Sequence, residues 1–518
     1  MPDVLHEIIE QARTGPALPA AKDLDRELSY AELIYEVSRL ATGLASRGVS
    51  EGDRVALLLP NSVDFVVAAL ASLWIGAVFV PLAVTDPEAR LTTIVADCAP
   101  AIVVTSDASG DDAARPKLLG GLTLVPLSAL RTEEPALARP VDTSTRVAYM
   151  IYTSGTTGTP KGVQIGNAAF GAAVQSTTSA LGLDRATRTL CVSPFHFDGS
   201  YANLFPTLYA GGAVVIRPRD ALLFPPTFFN TVAREKINFS GFTPSYLRLL
   251  LASPRMAELG DSALEIIALG AEALPVADLR SLWSYVPEIR LFNRYGPTET
   301  TIAVTNFELT LDMIEEGTVP MGYPHPGVFF FLLDDEGIVI EESDRVGELY
   351  IGGNQLMDGY WGAPTLTKEV MRTDVVPGET VYRTGDLVYR DKNGSYVYVD
   401  RADRVIKRSG VRISLVELNE IMGSLVGVTG AVCMTFDSEG ELGIIAFVVT
   451  NGAASALDLR RAALEHIPEN MMPNRIELVK AFPLNKSNKL DERLLLSEAG
   501  LRPLSPAGPL LRGTRSRQ

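Results

Sequence analysis

Residues 149–163 read YMIYTSGTTGTPKGV, an apolar run followed by a loop dense in glycine and hydroxyl side chains. The apolar run predicts a strand. The loop suits an anion, because glycine lets backbone N–H groups approach a phosphate, while Ser and Thr add donors and Lys161 adds positive charge. It is not a GxxxxGK[ST] loop, since Pro160 stands where that loop has glycine. The alternative is an ordinary surface loop.

Helix-like and strand-like runs alternate on both sides of this stretch. Helical spacing of apolar residues appears in 29–48 and 64–76, and buried-strand patterns appear in 54–60 and 77–82. The same alternation returns between residues 212 and 296. The pattern predicts an α/β fold with two βαβ-type parallel-sheet subdomains.

From about Gly317 the pattern changes to short strands separated by Gly and Asn turns, which predicts a small antiparallel β module. A charged run follows Asp400, and helix-like and strand-like segments come after it. We therefore expect a large N-terminal domain over 1–400, a hinge at 401–403 and a small mobile α+β C-terminal domain over 404–500. Residues 501–518 read as a flexible tail.

Charge and composition exclude several function classes. The 518 residues include 46 Lys+Arg and 62 Asp+Glu, which gives a net charge of −16 and argues against a nucleic-acid or membrane-surface binder. No secretory signal or membrane span is recognisable, and three scattered cysteines fit reduced core residues, so we expect a cytoplasmic protein. Four dispersed histidines favour no protein-built zinc site, so any metal arrives with a substrate.

A series of motifs resembles the adenylate-forming superfamily, which includes acyl-CoA synthetases, luciferases and the adenylation domains of nonribosomal peptide synthesis. YTSGTTGTPKG (152–162) is similar to its phosphate-binding signature. The other motifs follow in the family's order: LSYAEL (28–33), WIGAVFVPL (74–82), NRYGPTETT (293–301), GELYIGG (347–353), YRTGDL (382–387), DRADRVIKRSGVRI (400–413), ENMMP (469–473) and PLNKSNKLD (483–491). The chain looks most similar to stand-alone amino-acid adenylation enzymes, including those that activate β-amino acids.

The resemblance implies a two-step reaction that uses ATP and Mg²⁺. A carboxylate attacks the α-phosphate to give an acyl-adenylate and pyrophosphate, and a thiol then takes the acyl group as a thioester. The implied catalytic residues are Lys489, Thr298 and Glu299, of which Glu299 also holds the metal. Tyr295 would lie against adenine and Asp386 would accept both ribose hydroxyls.

The ATP-binding set implied by the resemblance extends over several motifs. Its members are Thr153, Ser154, Gly155, Thr156, Thr157, Gly158, Lys161, Gly270, Ala271, Glu272, Asn293, Tyr295, Gly296, Asp386 and Arg401. The alternative for Glu299 is a surface acid in a turn, and for Asp386 a helix cap or turn residue. Two departures from the family stand out: Asn488 precedes Lys489 in place of glycine, and Asp400 replaces the usual glycine before Arg401. Asp403 falls at the hinge position.

Phe197-Asp198 resembles the Phe-Asp pair of amino-acid-activating domains, in which the aspartate binds the substrate ammonium. A buried carboxylate is costly unless it is paired, and a substrate amine is a suitable partner. The alternative is an internal ion pair with Arg294. If Arg294 is free, it could bind a second substrate carboxylate, because a guanidinium binds carboxylates bidentately.

The other pocket residues are small or apolar. By alignment to the family pattern, the substrate-binding set is Asp198, Gly199, Ala202, Gly241, Ile267, Leu269, Arg294 and Ile302, with Ala303 beside it. An amine anchor, an arginine and spare volume favour an acidic amino acid, or a β-amino acid such as a methylated aspartate.

No carrier-protein signature follows Asp491, so we expect the thiol to come from a separate carrier protein and its phosphopantetheine arm. The arginine-containing tail reads as a disordered end or as a contact for an acidic carrier. The main alternative function is an acyl-CoA ligase acting on a simple acid. A nucleotide sensor on the same fold is disfavoured by the presence of Lys489, Glu299 and Asp386.

Overall fold

The computed structural model describes residues 3–86, 88–107, 118–119, 121–132, 134, 146–154, 160–272, 274–315, 319–402, 405–408, 411–438, 441–452, 454–465, 467, 472–484 and 490–502. Helices and strands alternate through most of this part of the chain. The helices are α1 (Val4–Thr14), α2 (Tyr30–Ser46), α3 (Val63–Trp74), α4 (Glu88–Cys98), α5 (Asn167–Leu181), α6 (Tyr201–Tyr209), α7 (Arg219–Leu222), α8 (Pro225–Glu235), α9 (Pro244–Leu251), α10 (Val276–Tyr285), α11 (Leu311–Glu315), α12 (Pro364–Val370), α13 (Leu415–Ser424), α14 (Ala456–Ala463) and α15 (Glu492–Glu498).

The strands are mostly short. They are β1 (Pro19–Lys22), β2 (Glu27–Ser29), β3 (Arg54–Leu58), β4 (Val78–Pro81), β5 (Ile102–Thr105), β6 (Leu118–Leu119), β7 (Leu122–Pro126), β8 (Val147–Ser154), β9 (Pro160–Gly166), β10 (Arg188–Cys191), β11 (Ala213–Ile216), β12 (Phe239–Phe242), β13 (Ile266–Gly270), β14 (Arg290–Tyr295), β15 (Thr305–Leu309), β16 (Pro320–Gly322), β17 (Val328–Leu333), β18 (Gly347–Gly353), β19 (Gly359–Tyr360), β20 (Met371–Arg372), β21 (Val381–Arg390), β22 (Tyr396–Arg401), β23 (Val405–Arg408), β24 (Val411–Ser414), β25 (Val428–Ser438), β26 (Glu441–Thr450) and β27 (Arg475–Leu478).

Two eight-stranded sheets form the larger part of the fold. One runs β15-β14-β13-β12-β10-β11-β1-β2, with parallel pairing from β14 to β1 and antiparallel strands at both edges. The other runs β19-β9-β8-β4-β3-β5-β7-β6 and is parallel from β8 to β7. Parallel strands are covered on both faces, which is why β4 and β11 are apolar and buried throughout. The prediction of two parallel-sheet subdomains is confirmed.

A third sheet runs β16-β22-β21-β18-β17, with β20 paired to β21. Its β17–β18 and β16–β22 pairs are antiparallel, as the short strands with glycine turns predict. The α/β fold with an added antiparallel module is therefore confirmed.

The chain divides into two compact units. The first comprises residues 1–384 and 388–398, and the second comprises 385–387 and 399–518. Within the second unit, β25-β26-β27 form a mixed sheet against which α13 and α14 pack through a core that includes Ile413 and Leu418. The predicted hinge residue Asp403 lies outside the described residues. No helix in the described ranges is both long and apolar enough to cross a membrane.

An aromatic cluster in the first unit supports the loop that enters α6. Tyr149 on β8 packs edge-on against Phe170 of α5 and Tyr201 of α6, at centroid distances of 5.3 and 5.2 Å. Phe205 of α6 lies 4.9 Å from Phe170. Because aromatic side chains bury large areas in fixed orientations, the first turns of α6 are held firmly in the core. The segment just before α6, which begins at Asp198, is therefore well positioned.

A close approach of α2 to a loop gives a test of this packing. A Cβ added at Gly43 would lie 1.6 Å from the carbonyl oxygen of Leu130, so Gly43→Ala forces a backbone shift. We expect it to lower the free energy of unfolding by about 3 kcal/mol. The measurement is calorimetric unfolding. The control is Gly423→Ala in α13, where no described atom lies within 4 Å and a helical alanine stabilises. An unchanged transition in Gly43→Ala would contradict the close approach.

Candidate active site

The site forms where parallel strands of the first sheet end. Asp198 opens a 3₁₀ turn, Asp198–Ser200, that follows β10, and Glu299 lies in a second turn, Thr298–Thr300, that follows β14. Carboxyl ends of parallel strands meet at one edge of a sheet, which is where such folds bind ligands. The two turns accordingly come into contact, since the Thr298 hydroxyl donates a hydrogen bond to Asp198.

Asp198 carries one enclosed carboxylate oxygen that the fold leaves unused. Its Oδ2 accepts no hydrogen bond from any residue that the structure describes. Burial raises the pKa of Asp198 to about 6, and the negative charge of Glu299 adds to the shift, while the bond from Thr298 opposes it. An enclosed acceptor of this kind is costly without a partner, so it points to a cationic or donor group supplied by a ligand.

Arg294 is a buried cation that, like Asp198, has one enclosed atom without a partner among the described residues. Its Nε donates to Asn306 Oδ1 at 2.9 Å and its Nη1 donates to Asn203 Oδ1 at 3.2 Å, but its enclosed Nη2 has no partner in the described part of the chain. Burial lowers the pKa of Arg294 to about 10. Arg294 and Asp198 are both described and form no ion pair with each other, so the internal pair that the sequence left open is absent.

A second cluster joins the predicted metal ligand to the phosphate-loop lysine. Tyr360 donates from its hydroxyl to Glu299 Oε1 at 2.7 Å and accepts from Lys161 Nζ at 3.3 Å. Lys161 also lies over the Tyr360 ring, 4.5 Å from its centroid. The pKa of Tyr360 is raised, chiefly by burial and then by Glu299, so its proton stays on the phenol and is donated to the carboxylate. Glu299 is thereby oriented by a neutral donor.

The backbone after Glu299 is strained. Thr301 and Ile302 have φ values of 61° and 70°, and the Ala303 amide donates to the Thr301 carbonyl at 2.8 Å, which closes a γ-turn around Ile302. Left-handed backbone at a β-branched residue costs about 1–3 kcal/mol and persists only where the surroundings impose it. Here Gln355 imposes it, because its Nε2 donates to the carbonyls of Ala303 at 2.7 Å and Thr301 at 3.3 Å.

Most of the predicted substrate-binding residues come together. Gly199 follows Asp198 in the same turn, and Ala202 lies buried in the first turn of α6. Gly241 lies against Asn203, the residue that accepts a hydrogen bond from Arg294 Nη1. A Cβ at Gly241 would lie 2.1 Å from Asn203 Oδ1. Ile302 is the central residue of the strained turn.

Ile267 and Leu269 are the exceptions. Gly241 pairs with Ala268, and Gly270 pairs with Arg294, so Ala268 and Gly270 share the sheet face of Arg294. Because side chains alternate across a strand, Ile267 and Leu269 point to the opposite face, into the core beneath α9 and α10. The structure does not bring these two residues together with Asp198 and Arg294.

The predicted catalytic and ATP-binding residues fall into four groups. Thr298, Glu299 and Lys161 meet through Tyr360 and Asp198, and Thr153 is the strand partner of Lys161. In the second unit, Asp386 is ion-paired to Arg401 at 3.2 Å. Gly155, Thr156, Thr157, Gly158 and Lys489 lie outside the described residues, and Ser154 is described only by its backbone.

The remaining members of that set make structural contacts. Asn293 donates from Nδ2 to the Pro320 carbonyl at 2.7 Å, and Glu272 accepts from the Ser245 amide at the start of α9. Ala271 follows β13 with a φ of 68°. Tyr295 accepts through its carbonyl from the Val304 amide, and Gly296 lets the backbone approach the γ-turn, since a Cβ there would lie 2.6 Å from Ala303 Cα.

Sequence reasoning missed several polar residues of the site. They are Asn203, Asn306, His325, Gln355 and Tyr360. Asn203 gave one usable signal, because it places an amide in a mostly apolar helix, YANLFPTLY. The others lie in segments distant in sequence, and only the folded chain brings them together.

The donor set fits a magnesium-bound phosphate group. No cluster of three or more His, Cys, Asp or Glu side chains occurs among the residues that the structure describes. Mg²⁺ typically takes one or two protein carboxylates and completes its shell with phosphate oxygens and water. The carboxylate of Glu299, together with the Lys161 ammonium, therefore supplies suitable groups for such an ion and for phosphate.

The raised pKa of Asp198 predicts a stability cost that depends on pH. The pKa of Asp198 is about 6 in the folded protein and about 4 in the unfolded chain. Protonation of Asp198 therefore contributes fully to the free energy of unfolding below pH 4, and this contribution is lost as the pH rises through 6. We expect Asp198→Asn to have a higher melting temperature than the parent at pH 8. The difference between the two melting temperatures should grow between about pH 4 and 7. Melting curves across pH measure it. Asp25→Asn at an exposed position is the control, and a gap independent of pH would contradict the prediction.

Comparisons with known proteins agree with this geometry. Residues 8–361 match the family described as AMP-binding enzyme. The chain is 30% identical over 505 residues to L-proline--[L-prolyl-carrier protein] ligase of Streptomyces coelicolor, covering 93% of this chain and 94% of that protein. It is 31% identical over 491 residues to tyrocidine synthase 3 of Brevibacillus parabrevis, covering 94% of this chain but only 8% of that protein.

A solved structure shows the same fold. It is a four-domain nonribosomal peptide synthetase bound to AMP and glycine, with 26% identity and a TM-score of 0.82, and the match covers 100% of this chain and 37% of that one. The chain thus spans a small part of the multidomain synthases that it matches. The resemblance to adenylate-forming enzymes is confirmed: the chain belongs to the AMP-binding enzyme family.

Proposed function

We propose that this protein adenylates an amino acid with ATP and Mg²⁺ and passes it to the thiol of a carrier protein. The observation that carries the proposal is the enclosed Oδ2 of Asp198, which has no partner among the described residues and lies next to the turn that holds Thr298 and Glu299. The similarity to a ligase whose name specifies an amino acid and a carrier protein supports both substrates.

Asp198 serves as the anchor for the substrate ammonium. At about pH 7–8 the carboxylate is mostly ionised, and an ammonium beside it favours that state further. The amine thereby removes the desolvation cost of the free site. A carboxylic acid without an amine leaves this charge unpaired, so the pocket discriminates against it.

Arg294 favours a second acidic group on the substrate. Its free Nη2 is enclosed and pairs with no carboxylate in the described ranges, so a substrate carboxylate is its natural partner. The missing side chain of Gly241 leaves space for Asn203, which holds Arg294 Nη1 and leaves Nη2 for the substrate. We therefore propose an acidic amino acid, with a β-amino acid such as a methylated aspartate as a specific candidate.

The phosphate side of the site is formed by Glu299, Lys161 and Tyr360. Bound Mg²⁺ supplies charge neutralisation for the phosphates. Glu299 offers the carboxylate for the ion, Tyr360 holds that carboxylate by donating to Oε1, and Lys161 offers positive charge to phosphate oxygens. Lys489, Asp386 and Arg401 remain proposed ligands of the reacting carboxylate, the ribose and the nucleotide.

The acceptor proposed for the second step is the phosphopantetheine thiol of a separate carrier protein. The thiolate attacks the acyl carbonyl of the adenylate, a thioester forms, and AMP leaves with the electrons of the broken C–O bond. The alternative, transfer to free coenzyme A by a ligase for simple acids, shares the first step and makes Asp198 unnecessary.

Pyrophosphate exchange into ATP across α-amino, β-amino, dicarboxylic and simple fatty acids tests the proposal. We expect exchange with an acidic or β-amino acid in the parent and at least a roughly hundredfold loss in Asp198→Ala, since a buried ammonium loses its charged partner. Loading of a holo carrier protein by radiolabelled substrate tests the acceptor. Exchange only with acids lacking an amine, unchanged in Asp198→Ala, would favour the coenzyme A ligase instead.

Removing one hydroxyl tests the arrangement around Glu299. In Tyr360→Phe the carboxylate loses a charge-assisted hydrogen bond, which is worth about 1.5–3 kcal/mol. We expect the Mg²⁺ concentration for half-maximal exchange to rise about tenfold or more, with little change in the KM for the amino acid. Tyr285→Phe on the exposed side of α10 is the control. An unchanged Mg²⁺ dependence would argue against Glu299 as a metal ligand held by Tyr360.

A further inference from the structure

A continuous line of buried and partly buried polar side chains connects Arg294 to the strained turn after Glu299. It runs from Arg294 to Asn306, then to His325 Nε2 at 2.9 Å, and from His325 Nδ1 to Gln355 Oε1 at 3.0 Å. His325 and Gln355 are 5% and 1% exposed, and Asn306 is partly buried. Gln355 then holds the Thr301–Ala303 turn through both flanking carbonyls.

The directions of these bonds are fixed by elimination. Both protons of the Gln355 amide are donated to carbonyls, so its Oε1 accepts and His325 Nδ1 carries the proton. His325 Nε2 is then an acceptor, and it receives a bond from Asn306 Nδ2. Asn306 Oδ1 is left to accept from Arg294 Nε. The line therefore requires neutral His325 in a single tautomer, and burial, which lowers the pKa of His325 to about 4, keeps it neutral.

This line fixes the orientation of the guanidinium. Arg294 is held at Nε by Asn306 and at Nη1 by Asn203, whose Nδ2 in turn donates to the Gly241 carbonyl at 2.8 Å. Because a guanidinium is planar, fixing two of its nitrogens fixes the direction of the third. The free Nη2 is thus aimed by groups behind it.

We propose that His325 and Gln355 are positioning residues that aim Arg294 at the substrate's second carboxylate and tie its placement to the turn at Ile302, although neither touches the substrate. This inference rests on the carboxylate-binding role proposed for Arg294. Discrimination between substrates then depends on His325, which is separated from Arg294 by the Asn306 side chain.

The two middle members of the line border a cavity, which guides the choice of variants. Asn306 and His325 line this cavity of about 720 Å³ beside α5, which Gln175 also lines. In His325→Ala a water from this cavity could replace the ring and mask the effect. His325→Leu fills the space without polar atoms, and His325→Gln retains one donor and one acceptor.

The experiment measures kcat/KM in pyrophosphate exchange for the activated acidic amino acid and for its analogue with the second carboxylate replaced by an amide. We expect His325→Leu to reduce the preference for the acid at least roughly tenfold, mainly through a higher KM for the amino acid, with the KM for ATP unchanged. His325→Gln should keep most of the preference. Gln175→Leu, which alters the same cavity without joining the line, should keep all of it.

Arg294→Met distinguishes the carboxylate-binding role of Arg294 from the positioning role of His325 and Gln355. If Arg294→Met loses the preference and His325→Leu keeps it, the positioning role is wrong and the role of Arg294 stands. If Arg294→Met keeps the preference, or the parent shows none, the carboxylate-binding role fails and the positioning role fails with it. A His325→Leu enzyme impaired equally toward acid, amide and ATP would show a purely structural role and overturn the inference.

Discussion

The cost of burying an unpaired charge governs the organisation of this site. The fold encloses a carboxylate at Asp198 and a guanidinium at Arg294 without joining them, and each keeps one atom without a partner among the described residues. A protein selected for stability alone would pair or remove such groups. Their separation leaves two opposite charges for the proposed substrate, whose ammonium would pair with Asp198 and whose second carboxylate would pair with Arg294.

The sheet architecture makes this separation possible. Asp198 and Arg294 are positioned by different strands of one parallel sheet, β10 and β14, with β12 and β13 between them in the sheet. The intervening positions on the same face, Gly241 and Ala268, carry little or no side chain. The Asn203 side chain lies over Gly241, where a Cβ would be 2.1 Å from Asn203 Oδ1, and it holds Arg294 from this side. The aromatic cluster beneath α6 then holds the Asp198 turn in place from behind.

The strained backbone after Glu299 is held by the same polar side chains that support Arg294. The left-handed backbone of Thr301 and Ile302 immediately follows the turn that carries Glu299. Gln355 holds that backbone and, through His325 and Asn306, also supports Arg294. One hydrogen-bonded line thus reaches both the proposed metal-binding turn and the proposed specificity residue, so we expect a change at either end to affect the other.

The sequence by itself determined the α/β class, the two parallel-sheet subdomains, the antiparallel module and the family. These follow from local periodicity, turn residues and ordered motifs, all of which are readable along the chain. The identity of Asp198 and Arg294 as candidate charges was also accessible, because Phe197-Asp198 resembles the family's Phe-Asp pair and Arg294 stands where the family commonly has a small residue. Whether they pair was not accessible, since it depends on the positions of two strand ends. Only the tertiary structure decided that Ile267 and Leu269 face the opposite side of the sheet, and that Tyr360, His325 and Gln355 join the site. Those placements depend on which strands pair and on contacts between residues far apart in the sequence, which local pattern does not specify.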